Sequence, residues 1–120
     1  MGYALPESDI VFASNTEEAC RLFREQWQGN NRPTAVFAMS DEILAGIMQT
    51  VYESKIRIPE ELYVISISDG ELPGYLPFRI PYIRTSGYGL GRAAALLLLQ
   101  LIMKMPLLPD THFLDVELVH

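Results

Sequence analysis

RPTAVFAMSDEILAGIMQTVYESKIRIPEELYVISISD, residues 32 to 69, changes its hydrophobic period twice. Thr34 to Met39 is a short apolar run bounded by Pro33 and by Ser40-Asp41. It is too short for a helix and has the length of a buried strand. A helix is predicted at once after it, because Ser40 or Asp41 can accept the free N–H groups of a first turn. Asp41 and Glu42 also put negative charge at the positive end of the helix dipole. Ile43, Leu44, Ile47, Met48 and Val51 then recur at helical spacing and form one apolar stripe. Pro59, in the turn from Lys55 to Glu61, stops that helix from continuing, and Tyr63 to Ile67 is rich in β-branched residues, as a strand is. The sum is a βαβ unit, which implies parallel strands covered by helices.

Upstream, Met1 to Ser8 is an entry segment and Ile10 to Ala13 is predicted as a short strand. Ser14, Asn15 and Thr16 are all good caps, and Ser14/Glu17 and Asn15/Glu18 both have capping-box spacing. The helix that starts there would bury Ala19, Leu22, Phe23 and Trp27, and Gly29 to Pro33 ends it. Downstream, Gly70 to Pro81 carries Pro73, Gly74 and Pro77 and reads as irregular. Tyr82 to Thr85 is predicted as a strand, Tyr88 or Leu90 to Met105 as a long helix, and Phe113 to Val119 as the last strand. This alternation gives an α/β fold: one open, mainly parallel sheet flanked by helices, with right-handed crossovers.

The 120 residues suffice for one small domain, and with 49% hydrophobic and 20% charged residues the chain can build an ordered core. A net charge of −6 argues against a nucleic-acid surface, which needs clustered Lys and Arg. Cys20 has no partner for an internal disulfide, which fits a reducing cytoplasm, and is expected as a small core side chain on the first helix. The opening MGYALPESDI has neither the basic region nor the apolar run of a signal peptide, and Arg92, Gln100 and Lys104 interrupt the one candidate membrane segment.

In an open α/β sheet, ligands bind at the carboxyl ends of the strands. Those ends are Ser14-Asn15, Ser40-Asp41, Ser68-Asp69 and Thr85, and all are polar. Hydroxyls, an amide and carboxylates arranged there can hydrogen-bond a small polyhydroxylated ligand. The same residue types are what helix N-termini demand for capping in any protein.

Enzyme chemistry finds little support. Gly87-Tyr88-Gly89-Leu90-Gly91 resembles a dinucleotide fingerprint, but its third glycine comes one place early and it does not open a βαβ unit. His112 and His120 both lie near the carboxyl end, no Gly-x-Ser-x-Gly elbow exists, and no His/Cys cluster suits zinc. No cofactor, catalytic residue or metal site is therefore expected.

The strings RPTAVFAMSDEILAG, IRIPEEL and YVISISD, followed by Tyr82-Ile83-Arg84, Leu90-Gly91-Arg92-Ala93-Ala94 and Asp115 to Val119, resemble the lactose-repressor/galactose-repressor (LacI/GalR) family of bacterial transcription regulators. The likeness is to the carboxy-terminal lobe of their sensor, half of a type I periplasmic-binding-protein-like fold. It implies one lobe over residues 1–120, with the helix at 88–105 belonging to a first lobe. It also implies an effector, sugar- or nucleoside-like, held between the lobes by residues among Ser14, Asn15, Ser40, Asp41, Ser68, Asp69 and Thr85. Ser40 stands where the family commonly has an asparagine, Ser68 where it has the first aspartate of a pair, and Thr85 and Gly87 where it has longer side chains. These shorter groups imply a wider pocket. Lys55 stands where the family usually has glycine at a helix end, so positive φ is expected at a lysine.

The function implied is a small-molecule-sensing and oligomerising lobe of a cytoplasmic transcription regulator. DNA would be bound only through a separate helix-turn-helix domain, and no membrane is involved. The alternative of another class is a lobe of an exported sugar-binding protein for transport or chemotaxis. Because the helix at 88–105 is apolar almost all round, a homodimer is expected.

Overall fold

The computed structural model describes residues 2, 4–106 and 114–120. Its elements run α1 (Thr16–Gln28), β1 (Ala35–Ala38), α2 (Asp41–Glu53), β2 (Tyr63–Ser68), α3 (Glu71–Tyr75), β3 (Tyr82–Arg84), α4 (Gly87–Ile102) and β4 (Glu117–Val119), after a short 3-10 turn at Glu7–Asp9. The four strands form one sheet in the order β1-β2-β3-β4. β1 and β2 are parallel, with Val36 opposite Val64; β2 and β3 are parallel, with Ser66 opposite Tyr82. β4 is antiparallel to β3, with Leu118 opposite Ile83 and Glu117 opposite Arg84.

The βαβ unit of residues 32–69 forms as its pattern dictates. Ser40 caps α2 by accepting from the Ile43 N–H at 3.3 Å. Leu44, Ile47, Met48 and Val51 are buried and Ile43 is half-buried. Together with Phe23, Trp27, Ala38, Ile56, Leu62, Val64 and Ile80 they make the core. Of the possible caps on α1 the structure uses Asn15, whose Oδ1 accepts from the Glu18 N–H at 2.9 Å, while the Glu18 carboxylate reaches back to the Ser14 N–H at 2.7 Å. α2 ends in a Schellman motif: the Ile56 N–H meets the Val51 carbonyl at 3.0 Å, the Lys55 N–H meets that of Tyr52 at 3.3 Å, and Lys55 sits at φ 54°. The lysine adopts the left-handed conformation expected of it.

α1 and α2 lie parallel and in close contact. Gly46 makes this possible, since a Cβ there would stand 2.3 Å from the Thr16 carbonyl oxygen and 2.8 Å from the Cys20 nitrogen. Across the seam the Thr50 hydroxyl donates to the Cys20 carbonyl at 3.0 Å, the Thr16 hydroxyl to that of Glu42 at 3.0 Å, and Arg24 pairs with Glu53. Cys20 is buried, as its place on α1 led us to expect.

Some expectations are corrected. Ile10 to Ala13 is not a strand: Ile10 has extended backbone, but among the described residues the segment joins no ladder and is largely exposed. An apolar run becomes a strand only where a neighbour takes its hydrogen bonds, and the free edge of β1 is not used that way. The stretch Gly70 to Pro81 contains the short helix α3, which tolerates Pro73 because a first-turn residue needs no N–H. α4 begins at Gly87 because the Ser86 hydroxyl accepts from the Gly89 N–H at 2.9 Å. It ends at Ile102, ahead of Lys104 at φ 54°. Thr85 lies just past β3, and the last strand starts at Glu117; the expectation for Phe113 lies outside the described residues.

The helices cover only one face of the sheet. Val36, Ala38, Val64, Ser66 and Tyr82 point beneath them, whereas Phe37, Ile65, Ile67, Ile83 and Leu118 share the opposite face, which no helix among the described residues covers. α4 buries none of its residues and extends from the carboxyl edge of the sheet. The radius of gyration, 17.8 Å, therefore exceeds the roughly 14 Å of a compact domain of this size.

Candidate functional site

The carboxyl ends of β2 and β3 and the start of β4 border an open cleft of about 640 Å³, lined by Asp69, Glu71, Arg84, Thr85, Ser86, Gly87, Tyr88, Asp115, Val116 and Glu117. Its size falls within the span of small-molecule sites, and it stands where open α/β sheets bind ligands.

Register and turn chemistry build it. β2 ends in Ser68, whose hydroxyl accepts from the Gly70 N–H at 2.9 Å, and Asp69 accepts from the Glu71 N–H at 3.1 Å. Gly70 has φ 106°, and a side chain there would meet the Tyr82 hydroxyl at 3.2 Å. The Thr85 N–H donates to the Ser68 carbonyl at 2.9 Å and holds the mouth of β3 against β2. Because β4 is antiparallel, Glu117 comes opposite Arg84, and the guanidinium donates to its carboxylate at 3.0 Å. The same guanidinium donates to the Tyr82 hydroxyl at 2.9 Å and lies 5.6 Å from the centre of the Tyr82 ring. The bond to Tyr82, with Glu117 contributing less, holds Arg84 above the ordinary arginine pKa. Arg84 thus offers fixed donors, and Asp69, Glu71 and Asp115 offer acceptors. A hydroxylated, uncharged ligand matches that mixture, and an anionic one would face the carboxylates.

The expected residues are divided. Asp69 and Thr85 line this cleft, and Ser68 is bonded to Thr85 beneath it, buried. Ser40 and Asp41 follow β1, the next strand across; Asp41 Oδ1 is buried with no hydrogen-bond partner among the described residues. Ser14 and Asn15 are elsewhere. They line a separate groove of about 870 Å³ with Arg21, Arg24 and Gln49, along the outside of α1 and α2. Capping occupies Asn15 and Ser40, and turns occupy Ser68 and Asp69. Arg84, Glu117, Asp115 and Tyr88 were not anticipated. An arginine ending an otherwise apolar strand was the one available signal. Among the described residues, no three His, Cys, Asp or Glu side chains are grouped to hold a metal, and no helix is long and apolar enough to cross a membrane.

A model of the periplasmic binding protein-like domain matches residues 3–120. The ribose operon repressor of Haemophilus influenzae is 38% identical over 73 residues, covering 61% of this chain and 22% of the repressor. The HTH-type transcriptional repressor PurR of Vibrio atlanticus is 35% identical over 71 residues, covering 59% and 21%. Among solved structures, transcription regulator CcpA of Lactococcus lactis superposes with a TM-score of 0.77 at 21% identity, covering 95% of this chain and 44% of that one. A LacI family regulator from Enterococcus faecium with bound ribose gives 0.68 at 23% identity, covering 88% and 39%. The chain spans about a fifth of the length of the curated relatives it matches.

Proposed function

Because the chain belongs to the periplasmic binding protein-like domain family, in the form carried by LacI/GalR-type regulators, we propose that it is the carboxy-terminal effector-sensing lobe of a transcription regulator. The observation that carries this is the carboxyl-edge cleft, where Asp69, Thr85 and the braced Arg84 present donors and acceptors on one open wall. An effector would be a small, neutral, hydroxylated molecule of the sugar or nucleoside kind, closed in by an opposing lobe. Asp69 and Thr85 would touch it, Ser40, Asp41 and Ser68 would border it, and Ser14 and Asn15 would act as caps. In a protein with both lobes, α4 would leave this lobe and pack on the first.

The lobe binds and does not catalyse, acts in the cytoplasm, and reaches DNA through a helix-turn-helix domain elsewhere in the regulator. Association of two copies fits its unburied apolar surface. The reading of an exported transport protein is less supported, since the relatives named above are repressors. Sequencing the gene upstream of the Met1 codon separates the two: an in-frame helix-turn-helix segment is expected, and an in-frame signal peptide would overturn the regulator reading.

A further inference from the structure

Arg84 is the one basic side chain that lines the cleft, and its guanidinium is only partly engaged. A guanidinium carries five N–H donors and no acceptor. One donor goes to the Glu117 carboxylate at 3.0 Å and one to the Tyr82 hydroxyl at 2.9 Å, which leaves three. Those two bonds fix the plane of the group, so the remaining donors are aimed before any ligand arrives. Gly70 keeps them uncovered: at φ 106° it carries no side chain, and a Cβ there would rest 3.6 Å from the Arg84 Nε. The Arg84 side chain stays 48% exposed and that of Glu117 66%. An ion pair as open as this contributes little to holding β3 against β4, so strand pairing alone does not account for it.

We infer that Arg84 is the specificity-determining residue of the cleft and that it reads a vicinal diol, two hydroxyls on neighbouring carbons of a furanose or pyranose ring. The inference rests on the effector-sensing reading and names the feature of the effector that this lobe selects. A hydroxyl suits both kinds of group in the cleft: it accepts from the guanidinium with a lone pair and donates its proton to a carboxylate. Asp69, whose Oδ1 takes the Glu71 N–H at 3.1 Å, has a second oxygen for that proton, and Asp115 lines the same cleft. An ether or ketone oxygen can only accept, and an ammonium ion can only donate. A carboxylate or phosphate would meet Asp69, Glu71, Asp115 and Glu117.

The pairing of hydroxyls follows from the shape of the donor. Donors fixed in one plane around one carbon lie side by side, so the acceptors they engage together must be neighbours as well. Hydroxyls on adjacent ring carbons meet that demand. A ring that keeps one of them and lacks the other leaves a charged donor facing a group that cannot answer it. The Thr85 hydroxyl does not take over, because it spends its proton on the Ser68 carbonyl at 3.4 Å and has only lone pairs to offer a ligand. Tyr82 and Glu117 are positioning residues, acting on the effector through the orientation they give Arg84.

NMR titration of the isotopically labelled 120-residue chain with matched pairs of ligands tests this. The pairs are adenosine against deoxyadenosine, methyl riboside against methyl deoxyriboside, and methyl mannoside against its ring-methylated ether; the second member of each has no vicinal diol. The Arg84 Nε–H signal is assigned by its absence from the spectrum of Arg84→Lys. In at least one pair the diol is expected to move that signal together with the amides of Asp69 and Thr85, and its partner to bind about tenfold more weakly, the effect of losing a hydrogen bond to a charged group. Arg84→Lys, which keeps the charge and loses the planar donors, is expected to bring the two members within about twofold of each other. Should that variant fail to fold, the wild-type pairs and the Nε–H signal decide alone. Equal binding within every pair, cleft amides that shift while the Nε–H signal stays still, or unchanged selectivity in folded Arg84→Lys would overturn the inference and leave the sensing lobe standing. No shift at the carboxyl edge with any of the compounds would overturn both.

Discussion

Gly46→Ala tests whether the seam between α1 and α2 is set by backbone contact. In an exposed helix interior this change would stabilise by about 1 kcal/mol, because alanine is the better helix former. Here the added methyl would lie 2.3 Å from the Thr16 oxygen, 2.7 Å from the Ala19 Cβ and 2.8 Å from the Cys20 nitrogen. Two of these are main-chain atoms that no rotamer change can move. α1 must retreat by about 1 Å to restore ordinary van der Waals separation. That retreat stretches the Thr50–Cys20 and Thr16–Glu42 hydrogen bonds, now 3.0 Å each. Overpacking costs roughly 1–3 kcal/mol and two weakened hydrogen bonds about 1–2 more, so after the propensity gain a net loss of about 1–4 kcal/mol remains. Urea unfolding followed by circular dichroism measures it, with the slope unchanged and the midpoint lowered. A variant as stable as the parent, or more so, would refute the backbone seam.

Three further outcomes are expected. Lys55→Gly should stabilise by about 0.5–1 kcal/mol, read as a raised melting temperature, because φ 54° strains a lysine and not a glycine. Glu18, Glu53 and Glu61 are all held below their ordinary pKa of 4.5: Glu18 by the Ser14 N–H, Glu53 by Gln49 and then Arg24, and Glu61 by the Arg57 N–H and side chain. A depressed carboxyl pKa adds stability above the unfolded value and loses it as pH falls through the folded one, so urea midpoints should be level above pH 4.5 and fall below it. The chain alone should give no sequence-dependent gel shift with DNA even at low salt, where phosphate attraction is greatest, because its net charge is −6.

What the sequence made legible was whatever local chemistry decides. The period of Ile43 to Val51, the caps at Asn15 and Ser40, and the β-branched run in Tyr63 to Ile67 all formed where their patterns put them. Lys55 too could be read, but only through the family resemblance, which puts glycine and a left-handed backbone at that helix end. Ile10 to Ala13 could not, since extended backbone becomes a strand only beside a partner. α3 was hidden by Pro73 and Gly74, which break helices in the interior but not in a first turn. The candidate cleft was legible by position and less so by its lining residues. Asp69 and Thr85 follow from the rule about strand ends, whereas the Arg84–Glu117 pair joins residues far apart in sequence and depends on the antiparallel direction of β4. Ser14 and Asn15 lie apart from that cleft, and the sequence offers no way to separate the two roles because helix caps and ligand-binding groups draw on the same side chains.

The sensing role is tested most directly by titrating the isotopically labelled chain with a panel of neutral monosaccharides and nucleosides while following its amide NMR shifts. One wall of a two-lobed cleft should bind at least one of them weakly, far from micromolar affinity, with the shifted amides clustered at Asp69 to Glu71, Arg84 to Tyr88 and Asp115 to Glu117. Shifts confined to the groove beside Ser14, Asn15 and Arg24, or none at the carboxyl edge with any member of the panel, would contradict it.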